Sequence, residues 1–148
     1  MVKVIILLSV GLDMCLEMVH TRYSFSKVVS MGYVEAIEYV TAELKKEGFG
    51  VLTSIDVTAT LKQKIGVDFK PYTILGACNP HHAYEALKKE TELALMLPCN
   101  VIVYVNDESE TVIAAIDPVA SMQAIENPEL GATAMEVQRK LRRVIDNL

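Results

Sequence analysis

The junction from Leu44 through Gly48 and Phe49 to Val57 constrains the fold of this chain more than any other stretch. Upstream, Val34, Ile37, Val40 and Leu44 recur at helical spacing as far as Lys46, with Ser30 as the expected N-cap. Gly48 stands where a helix needs a left-handed C′ residue. Phe49 then becomes C″ and Leu44 becomes C3, the pair that a Schellman cap brings into contact. From Gly50 the period falls to 2. Val51, Thr53, Ile55 and Val57 share one face, and Leu52, Ser54 and Asp56 share the other. A helix that stops here and passes directly into a strand implies a helical layer packed on a sheet.

The rest of the chain keeps this alternation. Tyr23 to Val29 reads as a strand before the first helix. Thr58 is placed to cap a short helix through Lys64, closed by Gly66. Phe69 to Ala77 is the next strand, in which Gly76 permits a bulge or a close backbone approach. Asn79 as N-cap and Pro80 at the first helical position open a helix to about Lys89. Leu93, Leu95 and Leu97 alternate with Ala94 and Met96, and Val101 to Val105 continues the pattern. The expectation is one long strand broken at Pro98-Cys99. Asn106 to Glu110 reads as a turn, Thr111 to Ile116 as the returning strand, and Asp117-Pro118 as the start of a helical turn. Leu130, Ala134, Val137, Leu141, Val144 and Ile145 mark an amphipathic C-terminal helix. The order β-α-β-α-β-α-β-β-α over residues 21–148 implies a single α+β domain of two layers.

Residues 1–20 stand apart as an N-terminal appendage. The apolar run Val4–Leu12 is shorter than the about 20 residues that span a bilayer, and no small-residue cleavage site follows it. A short helix or edge element is expected there, with Met18 as an alternative start and no role for Cys15. The 148 residues are 51% apolar, with positive mean hydropathy. That balance is high for a small monomer and points either to apolar surface buried against a second copy or to one inflating segment. The net charge of −5 offers no basic field for nucleic acid. The one basic cluster, Arg139, Lys140, Arg142 and Arg143, complements the dipole at the end of the last helix. Three cysteines are too few, and odd in number, for a secreted disulfide scaffold, so a reduced cytoplasmic setting is expected. The local motifs of thioredoxins, zincins, P-loop proteins and α/β-hydrolases are missing from the sequence.

Four strings, in order, carry a resemblance: Glu47 to Val57, Ile74 to Pro80, Leu97 to Val101, and Asp117-Pro118. Over roughly residues 22–147 the chain resembles the domain of unknown function 302 family. The resemblance implies a helix-grip architecture like that of the TATA-box-binding protein, with a curved, mainly antiparallel sheet packed on a long C-terminal helix. It also implies a homodimer. It supplies no reaction, and a fold shared with a DNA binder carries no functional weight.

Two thiols have a claim to chemistry. Cys78 precedes a helix start, where free N–H groups and the helix dipole favour an anion and lower a thiol pKa. Packing is the plainer reading, since free cysteine is among the most buried residue types. Cys99 joins Cys78 only if the sheet order brings the same strand ends together. The pair would then form a reversible disulfide, or give zinc or copper two soft ligands. Asn79 and Asn100, which follow the two cysteines, suit capping or turns as well as an anion-stabilising surround. His81 and His82 are weaker candidates, because adjacent helical positions point about 100° apart. His81 also stands four residues from Glu85, at ion-pair spacing. Asp56 and Asp117 complete the set, as caps or as a carboxylate pair. Tyr23, Phe25, Tyr33, Tyr72 and Tyr104 read either as core or as the lining of a pocket beneath the C-terminal helix. Three functions follow: a small-ligand, metal or thiol-chemistry site at the Cys78/Cys99 corner; a non-catalytic homodimeric interaction module with packed cysteines; and a hydrolase or isomerase using Asp56, His82 and Cys78.

Overall fold

The helix stop at Gly48 forms as its sequence requires. Gly48 has φ 84°, the Phe49 N–H donates to the Leu44 carbonyl at 3.0 Å, and the Gly48 N–H donates to that of Lys45 at 3.1 Å. These are the two bonds of a Schellman cap. The computed structural model describes residues 17–148, so residues 1–16 of the appendage expected over residues 1–20, with Cys15, lie outside the described residues. Its last residues join the domain, Met18 packing on the core and Val19–His20 pairing in the sheet. The elements are β1 (Val19–His20), β2 (Ser24–Val29), α1 (Tyr33–Lys46), β3 (Gly50–Asp56), α2 (Val57–Ile65), β4 (Tyr72–Cys78), α3 (Pro80–Lys89), β5 (Cys99–Val105), β6 (Thr111–Ile116), α4 (Pro118–Met122) and α5 (Gly131–Asp146). The fold is α+β. Six strands form one open sheet in the order β1-β2-β6-β5-β4-β3, with every neighbouring pair antiparallel.

The main core lies between one sheet face and helices α1 and α5. Phe25, Leu75, Val101, Val103 and Ile113 project from the strands, and Val40, Leu44, Leu141, Val144 and Ile145 project from the helices. All of these side chains are within 2% of full burial. Each such side chain contributes roughly 1.5–3 kcal/mol relative to exposure. The apolar stripe of α5 is the one its sequence spacing predicts, with Ala134, Val137, Leu141, Val144 and Ile145 all buried. A second, smaller core joins Ala86, Leu93 and Leu130, with Met122 packed against it. Among the described residues, no helix is long and apolar enough to cross a membrane.

Four local expectations differ from the structure. Residues Thr91–Met96 form a 3-10 turn, so the long strand expected across Leu93 to Val105 starts only at Cys99. Leu93 is fully buried in the smaller core while Leu95 is 82% exposed, which removes the shared face that alternation suggested. The cap of α1 is Gly32 rather than Ser30 and has no side-chain hydrogen bond. Asp56, not Thr58, caps α2: its side chain accepts the Ala59 N–H at 2.9 Å. Thr58 instead accepts the Tyr72 N–H and donates to the Lys70 carbonyl, tying the start of β4 to α2. The sheet itself begins at Val19, whose pairing with Ser26 adds the two-residue strand β1.

Gly76 shows why a glycine stands inside β4. A Cβ there would lie 2.2 Å from Thr53 Oγ1 and 2.8 Å from Pro98 Cγ. Thr53 flanks the bulge of β3, and Pro98 precedes β5. Both pack directly on the backbone that the missing side chain leaves bare.

Candidate functional site

The antiparallel register of β4 and β5 decides where the thiols fall. Ala77 pairs with Cys99, so Cys78 at the end of β4 and Cys99 at the start of β5 share one end of the sheet. Both line a small cavity together with Phe49, His82, Met122 and Val137. Cys78 is half-buried and Cys99 is buried. The two are staggered by one residue in the register.

The lowered thiol pKa expected of Cys78 is not what this corner produces. Burial pushes Cys78 above its ordinary value of 9.0, and pushes Cys99 up to about 11, with the neighbouring Cys78 adding to the shift. Asn79, not Cys78, is the N-cap of α3: its Oδ1 accepts the His82 N–H at 3.5 Å. The thiol lies one residue outside the first turn, so dehydration of the thiolate outweighs any help from the helix dipole. Both thiols are neutral at pH 7. The Asn79 side chain also donates to the Glu47 carbonyl at 3.4 Å, which links the end of α1 to the start of α3.

The other candidates separate. His82 is half-buried and lines the cavity, whereas His81 is exposed and Glu85 pairs with Lys88 at 2.8 Å instead. Asn100 is exposed, one residue past the cavity-lining Cys99. Asp56 sits at the opposite end of the sheet. It pairs with Thr73, and the five residues of β4 from there to Cys78 span about 17 Å. An Asp56–His82–Cys78 constellation is thereby excluded. So is a pairing of Asp56 with Asp117, which follows the other end of β6. Asp117 is 5% exposed and caps α4, accepting the Val119 N–H at 2.9 Å. Gln138 Nε2 donates to both Asp117 oxygens at 3.0 Å, and His20 Nε2 lies 3.7 Å away. His20 could not have been found from sequence, because it reaches Asp117 only through the β1–β2 pairing.

The aromatic residues do not line one pocket. Phe25 is buried under the helices, and Tyr33 on α1 hydrogen-bonds Thr73. Tyr72 and Tyr104 pair across β4 and β5 and stack on the face away from the helices, with ring centroids 5.4 Å apart. The basic cluster of α5 is engaged as well. Arg143 makes two bonds to Glu47, at 3.0 and 2.9 Å, and Arg139 pairs with Glu136. Arg142 lies over the Phe25 ring. Among the described residues, no group of three or more His, Cys, Asp or Glu side chains is placed to hold a metal, so a metal here would rest on the two thiols.

A family model, described as domain of unknown function DUF302, matches residues 25–148. The chain belongs to the DUF302 family. The crystal structure of an uncharacterized conserved DUF302 protein from Bacillus stearothermophilus is similar to it, with a TM-score of 0.78 and 34% sequence identity. That match covers 83% of this chain and 95% of the other. A search of curated proteins finds no match. The expected family is thus the family found, and the DUF302 assignment covers the whole Cys78/Cys99 corner.

Proposed function

We propose that this DUF302 domain binds a small molecule at the Cys78/Cys99 end of its sheet, with Cys78 as the reacting or ligating thiol. One observation carries the reading: the β4–β5 register puts both cysteines at one sheet end, on one cavity. Cys99 stands behind Cys78 as the buried wall, and Asn79 holds the mouth in shape through its bonds to His82 and Glu47. The raised pKa values leave little thiolate at neutral pH, which favours slow reaction with a soft partner held in the cavity over fast thiolate catalysis. A soft metal bound by the two thiols, copper or zinc, is the metal form of the same proposal.

Native mass spectrometry of protein purified without chelator, together with thiol labelling, tests it. A stoichiometric bound mass that is lost in Cys78→Ser supports the site. An unliganded protein whose Cys78 resists labelling under native conditions sinks it.

A second reading rests on the other sheet face. Tyr72, Ile74, Ile102 and Tyr104 are only half-buried there, and Ile55 on the edge strand is 46% exposed. Apolar area of this kind on a chain of high mean hydropathy fits an interface between two copies. In this reading the protein is a homodimeric interaction module and its cysteines only pack. Analytical ultracentrifugation of Ile102→Asp decides the interface: dissociation to a folded monomer supports it, and an unchanged mass refutes it.

A further inference from the structure

We infer that Met122 divides a single ligand pocket into two parts, and that a ligand seated in the outer part reaches the thiols when this side chain moves aside. The inference rests on the thiol-pocket reading above. The cavity beside Cys78 and Cys99 holds about 30 Å³. That is room for water and not for a metabolite. Beyond the end of α4 lies an open groove of about 420 Å³, walled by Val119, Leu130, Ala134 and Met135. Met122 lines both spaces. Small-molecule sites measure roughly 300–1,000 Å³, so the groove has the size of a site and the cavity has the chemistry.

The fold makes Met122 a movable partition. It is the last residue of the five-residue helix α4, followed at once by the 3-10 turn Gln123–Ile125 and by Glu126 at φ 54°. The other end of α4 is fixed, because Asp117 accepts from Val119 and Gln138 while buried. An unbranched thioether with three rotatable bonds rearranges at low cost, where a β-branched side chain would not.

The walls select the ligand. The groove combines Val119, Leu130, Ala134 and Met135 with the carboxylate-bearing Glu126, and a cysteine stands behind it. The class that fits is therefore a small, non-anionic molecule carrying an electron-poor carbon–carbon double bond, the soft electrophile to which a cysteine sulfur adds. In the reaction the Cys78 sulfur bonds to the β-carbon, the carbon–carbon π bond breaks, and the thiol proton ends on the α-carbon. No further reactant is required.

The test compares two reagents on the full chain, N-phenylmaleimide as the large apolar probe and iodoacetamide as the small one. The ratio of their Cys78 labelling rates, read by mass spectrometry, cancels changes in thiol pKa and in global opening. Met122→Ala should raise that ratio about tenfold and Met122→Trp should lower it by as much, the scale on which an apolar pocket resolves small groups. Met122→Leu should stay near the parent. Equal ratios in the Ala and Trp variants overturn the partition. If Met122→Ala fails to fold, the Trp and Leu variants carry the same comparison. Failure of iodoacetamide to label native Cys78 in the parent overturns the thiol-pocket reading itself, and the partition with it.

Discussion

Replacing Cys99 by valine removes the most strongly shifted thiol at the corner and should change how stability depends on pH. In the folded chain the Cys99 pKa is pushed up to about 11 from 9.0, chiefly because the thiolate would be dehydrated. Below about pH 9 the thiol is protonated in both states and contributes no pH dependence. Above that, the unfolded chain loses its proton first while the folded chain holds it. The stabilisation that the buried neutral thiol confers therefore declines, and is gone once the pH passes the folded value. Each pKa unit is worth about 1.36 kcal/mol, so two units give about 2.7 kcal/mol lost across the window, about half of it by pH 10.

Lysines and tyrosines titrate in the same range, so the measurement is a difference. Urea unfolding of the parent and of Cys99→Val, followed from neutral pH to about pH 10, isolates the thiol. Because the swap is near in volume and apolar, its pH-independent cost should stay below about 1.5 kcal/mol. The parent should then lose about 1.4 kcal/mol more than the variant by pH 10. Two curves that stay parallel over the whole range would refute a buried, neutral Cys99, and with it the picture of a dry wall behind Cys78.

Four further outcomes check the geometry. Gly76→Ala should destabilise by about 1–3 kcal/mol in urea unfolding, because the new Cβ meets Thr53 and the Pro98 ring. Leu93→Ala should cost about 2–5 kcal/mol while Leu95→Ala stays within about 0.5 kcal/mol, a contrast that a strand presenting both on one face cannot give. Asn79→Ala should cost about 1 kcal/mol and speed amide exchange in the first turn of α3, since it removes both the cap and the tie to Glu47. Iodoacetamide labelling of native Cys78 should rise about tenfold per pH unit from neutral to about pH 9, whereas a plateau reached below pH 8 would show a thiol that is not raised.

What the sequence disclosed was whatever local chemistry alone determines. The Gly48–Phe49 stop, the Asn79-Pro80 start and the apolar stripe from Ala134 to Ile145 depend on neighbours within a few residues, and each is present. Leu93 to Leu97 was misleading because alternation over five residues also fits a 3-10 turn. Leu93 is drawn instead into contact with Ala86 and Leu130, which no local pattern reveals. The thiol pKa departs from the local expectation for a related reason. Position next to a helix start is visible in sequence, but the burial that dominates the shift depends on tertiary packing around the cavity. Proximity of Cys78 to Cys99 required the sheet order, which spacing leaves open.

That sheet order gives the four strings of the family resemblance a common location. In an antiparallel meander alternate strand ends coincide, so the start of β3, the end of β4, the start of β5 and the end of β6 all lie at one edge. The register shows this pair by pair: Gly50 faces Cys78, Ala77 faces Cys99, and Val101 faces Ala115, two residues before Asp117. Most of what these strings contain at that edge is used by the fold. Gly48 ends α1, Asn79 starts α3, Pro98 packs over Gly76, and Asp117 starts α4. The two cysteines differ. Among the described residues neither serves as a cap or in an ion pair, and packing alone would be met as well by alanine or valine. Asp56 supplies the contrast, since it belongs to a string but caps a helix at the far edge and needs no further role. A thiol pair that the fold does not require, set on a cavity at the edge where the strings converge, is the feature that chemistry would explain.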